Sequence, residues 1–498
     1  MKTFFEKNEI TITGIIFLTI LNGMFLHLVI DANTSAYKKA AILLIFATLI
    51  VLSYLDKLDN KIYFLTLFAY LAFVFQRSPE ILSEGRFFAE EGAIYWSYSL
   101  VNSKFNTLLY TPVIAGYYLL VTNFQILITT IFPVWFAPLT TVWLSLTIQL
   151  LPSLLFLILT SSKIETKKRI IISQILIFLP SLNFLEIFAN SINSQTYLGV
   201  SVFIIYIYGL EGKNKIISVW ENIILIFGSL SSYYSIILFP VFIFRYLKNR
   251  HLRSRFPFFI WIFSVFIQSN VLYFSYINDV LYGDKFTNKI DFEYVLLVIK
   301  KSVLINLFTE YFLRDAFMQN LSLLILFLLV LLIIKNKTLN KYLYFLIFLS
   351  FVLEVLLVLV GQAGQDFIGR YAVVPSTILF FVFLHYFSEI KYGHIVLIFI
   401  FTIGLINTSY QSGMYFIDCQ DYCSSWQNQI EAYDTGSSKI IAHWPLGEGE
   451  PYWYTDLDNP LPNPAPFQKE IIGENLYLLY DLTLLDIIRS NFNFGFIP

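Results

Sequence analysis

Long apolar runs separated by short, often basic, polar breaks dominate the chain. Runs at 12–30, 37–55, 60–76, 138–160, 168–187, 194–210, 257–277, 342–361, 370–388 and 394–410 stand out. Each comes close to the roughly 17–25 helical residues that cross a hydrocarbon core of about 30 Å. A shorter run lies at 318–334. The stretch 216–247 is interrupted at 228–235 by "GSLSSYYS", a Gly/Ser break that predicts two tightly connected helices. The pattern predicts an all-α polytopic membrane helix bundle of about 13 transmembrane helices. The first run lacks a small-residue cleavage site and is long enough to remain as a span.

Composition narrows the class. Of 498 residues, 57% are apolar and 13% charged, with 51 Phe and 33 Tyr. A soluble chain of this length has too few charges here to coat its surface. Disordered and disulfide-scaffold classes are excluded too, the latter because only two Cys are present. The bases are scattered over loops and form no stripe with aromatics, so no nucleic-acid partner is expected. Richness in Ile, Phe, Lys and Asn fits a bacterial inner (cytoplasmic) membrane protein of an AT-rich genome.

Charge then sets the topology. Residues 411–498 carry 12 acids and 3 bases, while the first 410 carry 22 acids and 30 bases. The ambiguous stretch is 111–132, apolar but holding Pro112, Gly116, Tyr117, Tyr118, Asn123 and Gln125. If it does not cross, short loops holding 19 of the 33 bases share one face, as the positive-inside rule requires. It is therefore expected to lie along or dip into the outer surface. The N-terminus is then inside, and 77–137, 278–317 and 411–498 are outside. These define a membrane module over 1–410 and an extracytoplasmic C-terminal region over 411–498, expected to form a small cap. Lys38 and Lys39 dissent, being outside on this topology.

The first outer loop reads "RSPEILSEGRFFAEEGAIYWSYSL" over 77–100. Adjacent carboxylates repel, so one of Glu90 and Glu91 tends toward a raised pKa unless a cation neutralises the pair. Such a group suits removal of a proton from a sugar hydroxyl, help worth roughly 10²–10⁴-fold. The plainer alternative is a solvated acidic turn.

The segments "RFFAEEGAIYW", "GYYLLVTN" at 116–123, "APLTTVW" at 137–143 and "IQLLPSLLFL" at 148–157 resemble bacterial enzymes of the GT-C glycosyltransferase superfamily. The resemblance is strongest over about 80–160. It implies a polyprenyl-phosphate-linked sugar as donor and a glycan or lipid-linked acceptor. Transfer would be inverting, at the periplasmic or exterior face of the bilayer. Glu90 or Glu91 would deprotonate the acceptor hydroxyl, with the reading leaning to Glu91. Arg86, Tyr117 and Tyr118 would line the substrate site. Some branches of that superfamily hold a divalent cation such as Mg or Mn at this motif and others do not. The third acid that often helps hold it is not identifiable here.

Other candidates follow from position. The polar insertion "GQAGQDFIGRY" at 361–371 places Gln362, Gln365, Asp366, Arg370 and Tyr371 at an outer mouth. A guanidinium there would stabilise charge developing on a leaving lipid phosphate; an interfacial anchor is the alternative. Arg314, in an interfacial helix expected within 291–315, is a second phosphate candidate. Glu186 lies near the outer end of its run, beside Asn183, Asn190 and Asn193. In the tail, "KIIAHWPLGEGEPYW" at 439–453 offers stacking aromatics for a sugar, with core packing as the alternative reading. His443 has no partner there at metal-ligand spacing. Cys419 and Cys423 are spaced to permit a disulfide.

The rival reading is an O-antigen or capsule polymerase, or a lipid-linked glycan flippase. A solute transporter would predict broken helices in both halves, and only one break is present.

Overall fold

The computed structural model describes residues 62–77, 85–112, 115–164, 166–178, 188–210, 215–248, 255–278, 369–389, 426–443, 454–458 and 482–492, with Ile81 and scattered positions between 320 and 352. The described chain is mostly helical. Its helices are α1 (Ile62–Arg77), α2 (Ser97–Val101), α3 (Lys104–Leu109), α4 (Leu120–Thr129), α5 (Ala137–Leu159), α6 (Thr166–Phe178) and α7 (Ser194–Tyr208). They continue as α8 (Lys215–Ser229), the single turn α9 (Tyr234–Ile237), α10 (Phe239–Lys248), α11 (Arg255–Ile277) and α12 (Gly369–Glu389). In the tail lie α13 (Trp426–Asp434), α14 (Leu484–Phe492) and an antiparallel ribbon of β1 (Ile440–Ala442) and β2 (Tyr454–Asp456). The apolar pattern does not predict that ribbon.

Two described helical stretches, Val134–Leu159 and Phe256–Ile277, are long and apolar enough to cross a membrane. The helix inside the ambiguous stretch, α4, has ten residues, about 15 Å of rise and half a hydrocarbon core. The break at 228–235 does separate two helices, α8 and α10, and adds the single turn α9 between them.

The longest helices bury their polar side. In α11, Ser264, Gln268 and Ser275 are buried, while Phe256, Phe259, Phe263, Phe266 and Tyr273 are exposed. In α5, Thr141, Ser145, Gln149 and Ser153 are buried and Trp143 is exposed. Some of the buried hydroxyls and amides bond across helices. Ser145 Oγ donates to Gln125 Oε1 (2.9 Å), whose Nε2 donates to Ser194 Oγ (3.1 Å). Ser153 Oγ donates to the Ser173 carbonyl (2.7 Å).

The connections sort to opposite ends of the bundle. At one end Lys163 Nζ donates to the Tyr208 carbonyl (2.8 Å). There Arg245 also donates to the carbonyls of Tyr206 and Gly209. At the other end the Leu120 N–H donates to the Leu230 carbonyl (3.2 Å), the Val121 N–H to Ser231 Oγ (2.8 Å) and Tyr233 OH to the Gly116 carbonyl (2.8 Å). The acidic loop lies at this second end.

A separate hydrophobic cluster forms there. It joins Phe87, Tyr95, Trp96 and Tyr110 of the first loop to Ile267 and Phe274 of α11 and to Trp426, Ile441, Leu484 and Ile487 of the tail. Trp426 packs edge-on against Phe87 and Trp96. The Thr111 N–H donates to the Leu482 carbonyl (3.2 Å), and Asn491 Nδ2 donates to the Asn270 carbonyl (2.9 Å). The described tail elements thus share their core with the first loop and add to it.

Candidate functional site

The acidic pair sits on a turn with unusual local structure. Ala89 has φ 44°, a left-handed conformation costly for a residue with a Cβ. The chain then enters a π-helix over Glu91–Trp96, a rare form that occurs mostly as short insertions in α-helices, frequently at functional sites. Across from it Ala189 has φ 54°. Strained backbone of this kind persists where the surrounding structure holds it.

What holds it is Glu91. Its Oε2 accepts the Phe88 N–H (3.0 Å) and its Oε1 accepts the Ser191 N–H (2.9 Å). One carboxylate therefore ties both left-handed turns together. The side chain is fully buried. Burial pushes its carboxyl above the usual range, against the pull of donors from Ser191, Phe88 and Thr141. Glu90 at the N-cap of the π-helix is half-buried. The sequence reading leans to Glu91 as base. In the structure Glu91 has no exposed surface, and each of its oxygens accepts a backbone N–H.

Tyr118 packs into the cluster at the same end of the bundle. It is buried, its hydroxyl donates to the Leu108 carbonyl (2.6 Å), and Gln268 pairs with both its backbone N–H and C=O (3.0 Å each). It joins the loop to α11 and has no surface for a substrate. Tyr117 is different: half-buried, it accepts from Gln195 Nε2 (3.3 Å) and packs edge-on against Tyr233 at 5.0 Å. Arg86 is buried. The structure thus gathers Glu90, Glu91, Arg86 and Tyr117 at one end of the bundle. Arg370 and Tyr371 fall on the first turn of α12, and their side chains lie outside the described residues. Arg314, Glu186, Gln362, Gln365, Asp366, Cys419 and Cys423 also lie outside them.

Sequence reasoning missed the partners of the pair. Ser191 and Thr141 were not singled out, although the polar run "NSINSQ" at 190–195 stands out within an apolar chain. It also missed the tail's part. His443 is buried, with Nε2 2.7 Å from Thr455 Oγ1, and Thr455 Oγ1 is 2.7 Å from Ser97 Oγ. Ser97 Oγ in turn donates to the Gly92 carbonyl (3.1 Å). Nothing in the local sequence pairs residues 358 positions apart.

A divalent cation does not fit this geometry well. Glu91 points its oxygens at N–H donors, and among the described residues no three His, Cys, Asp or Glu side chains gather. No family model, curated protein or solved structure matches this chain.

Proposed function

We propose that the chain is a multi-spanning membrane glycosyltransferase of GT-C type, with about 13 spans and its acidic loop on the outer face. The donor is a polyprenyl-phosphate sugar and the acceptor a glycan or lipid-linked saccharide. The observation that carries the reading is the pair of unlike carboxyls. Glu91 is sequestered as a brace, and Glu90, half-buried, stands next to it at the start of the same strained turn. A base held on a rigid scaffold is what proton abstraction needs.

Support for the membrane setting comes from α5 and α11, which bury Thr141, Ser145, Gln149, Ser153, Ser264, Gln268 and Ser275 while exposing Trp143, Phe256, Phe259, Ile262, Phe263 and Phe266. In water so large an apolar surface would be a liability; in lipid it is the expected arrangement. Support for sidedness comes from basic residues Lys163 and Arg245 at the end opposite the acid pair.

In the reaction, Glu90 takes the proton of the acceptor hydroxyl. The oxygen attacks the anomeric carbon from the face opposite the phosphate, a new C–O bond forms, and the bond to the phosphate oxygen breaks with inversion. Polyprenyl phosphate leaves as the anion, and Arg370 and Arg314 are the candidates to stabilise it. Membranes containing the wild-type protein, given a panel of radiolabelled polyprenyl-phosphate sugars, consume one donor beyond the level of membranes lacking it. Consumption of none of them would move the polymerase and flippase readings ahead.

A further inference from the structure

The C-terminal tail reaches the acidic turn through one short relay. With one proton per hydroxyl, His443 Nε2–H donates to Thr455 Oγ1, Thr455 to Ser97 Oγ, and Ser97 to the Gly92 carbonyl. This assignment satisfies all three contacts, and Thr455 Oγ1 also lies 3.4 Å from the Gly92 carbonyl. His443 and Thr455 stand on or beside paired strands, β1 and β2, so the ribbon presents both to the same turn. The relay ends on the carbonyl of the residue after Glu91, inside the π-helix.

Packing fixes the imidazole as firmly as the hydrogen bonds do. Its ring lies among Phe87, Trp96 and Trp426, at centroid distances of 5.8, 6.2 and 6.2 Å. A Cβ added to Gly92 would come within 2.5 Å of His443 Nδ1. The glycine is therefore required by the tail: only a residue without a side chain lets the imidazole sit on the turn. Among the described residues Nδ1 has no hydrogen-bond partner, and the ring is held there by Nε2 and by aromatic contact.

We infer that His443 and Thr455 are positioning residues for the acidic loop, clamping the Gly92 turn so that Glu90 keeps its place. Function in this sense requires the tail, which completes the site from the far end of the sequence. The inference rests on the transferase reading for its effect on rate, and on geometry alone for the clamp itself.

The test uses the full-length protein in nanodiscs and two readouts. Hydrogen exchange is followed over 88–97 in wild type, Thr455→Val, Thr455→Ser and His443→Gln. Thr455→Val and His443→Gln exchange about tenfold faster over 88–97, with the centres of α5 and α7 unchanged, while Thr455→Ser matches wild type. Unchanged exchange over 88–97 in Thr455→Val overturns the clamp. Sugar transfer, per folded protein, supplies the second readout. Thr455→Val lowers kcat about tenfold or more with KM for the donor unchanged, and Thr455→Ser restores it. A kcat unchanged by Thr455→Val, or a loss not rescued by Thr455→Ser, overturns the positioning role. A wild type that transfers no sugar, together with the predicted exchange pattern, refutes the transferase reading and leaves the clamp standing.

Discussion

Two neighbouring glutamates differ in burial, Glu90 half-buried and Glu91 fully buried. Glu91 satisfies two buried N–H groups, those of Phe88 and Ser191. Truncating it leaves both donors without an acceptor, and an unsatisfied buried donor costs about 1–3 kcal/mol. Glu91→Ala is therefore expected to destabilise the folded protein by about 2–5 kcal/mol. The measurement is the midpoint of thermal or denaturant unfolding in detergent, compared with wild type. The pair was legible in the sequence as an acidic motif. Which member braces and which faces outward was not, because that depends on Ser191, a residue 100 positions away.

At the scale of elements, helices were the most legible feature. The apolar runs at 138–160, 194–210 and 257–277 coincide closely with α5, α7 and α11, since lipid-facing and core-facing surfaces alike favour apolar residues. The ribbon β1–β2 and its docking on the first loop were hidden. Three-residue strands carry too little alternation to read, and their partner is more than 300 residues earlier in the chain. That docking has a pH dependence. Burial pushes His443 down to about 3, below its unfolded value near 6.5. A depressed histidine contributes stability that is present above about pH 6.5 and lost as pH falls toward 3, at up to about 1.4 kcal/mol per unit. The Glu91 carboxyl, raised by burial, acts in the opposite sense: its contribution is full at low pH and is lost as pH rises through its raised value. Acidification below about 6 is thus expected to loosen the tail from the loop. Emission from Trp96 and Trp426, which flank the imidazole, reports it. His443→Gln flattens the acid limb, and an unaltered limb in that variant contradicts the assignment.

At the scale of the whole molecule, the bundle is organised as an insulator with two unlike ends. Polar side chains are drawn inward along α5 and α11, basic groups bind carbonyls at one end, and the acidic turn, the polar 190–195 run and the tail meet at the other. On the proposed transferase reading, this plan would set the acidic turn where a lipid carrier's phosphate meets water. The claim at the centre of this plan is that Glu90 is the base and Glu91 the brace. Transfer rate per folded protein in Glu90→Gln and Glu91→Gln, measured side by side with the donor that wild type consumes, tests it directly. Glu90→Gln is expected to lose at least about 10²-fold in kcat per folded protein. Glu91→Gln is expected to lower the midpoint while keeping kcat within about tenfold of wild type. Full activity in Glu90→Gln, or its loss in Glu91→Gln at unchanged stability, would contradict the account.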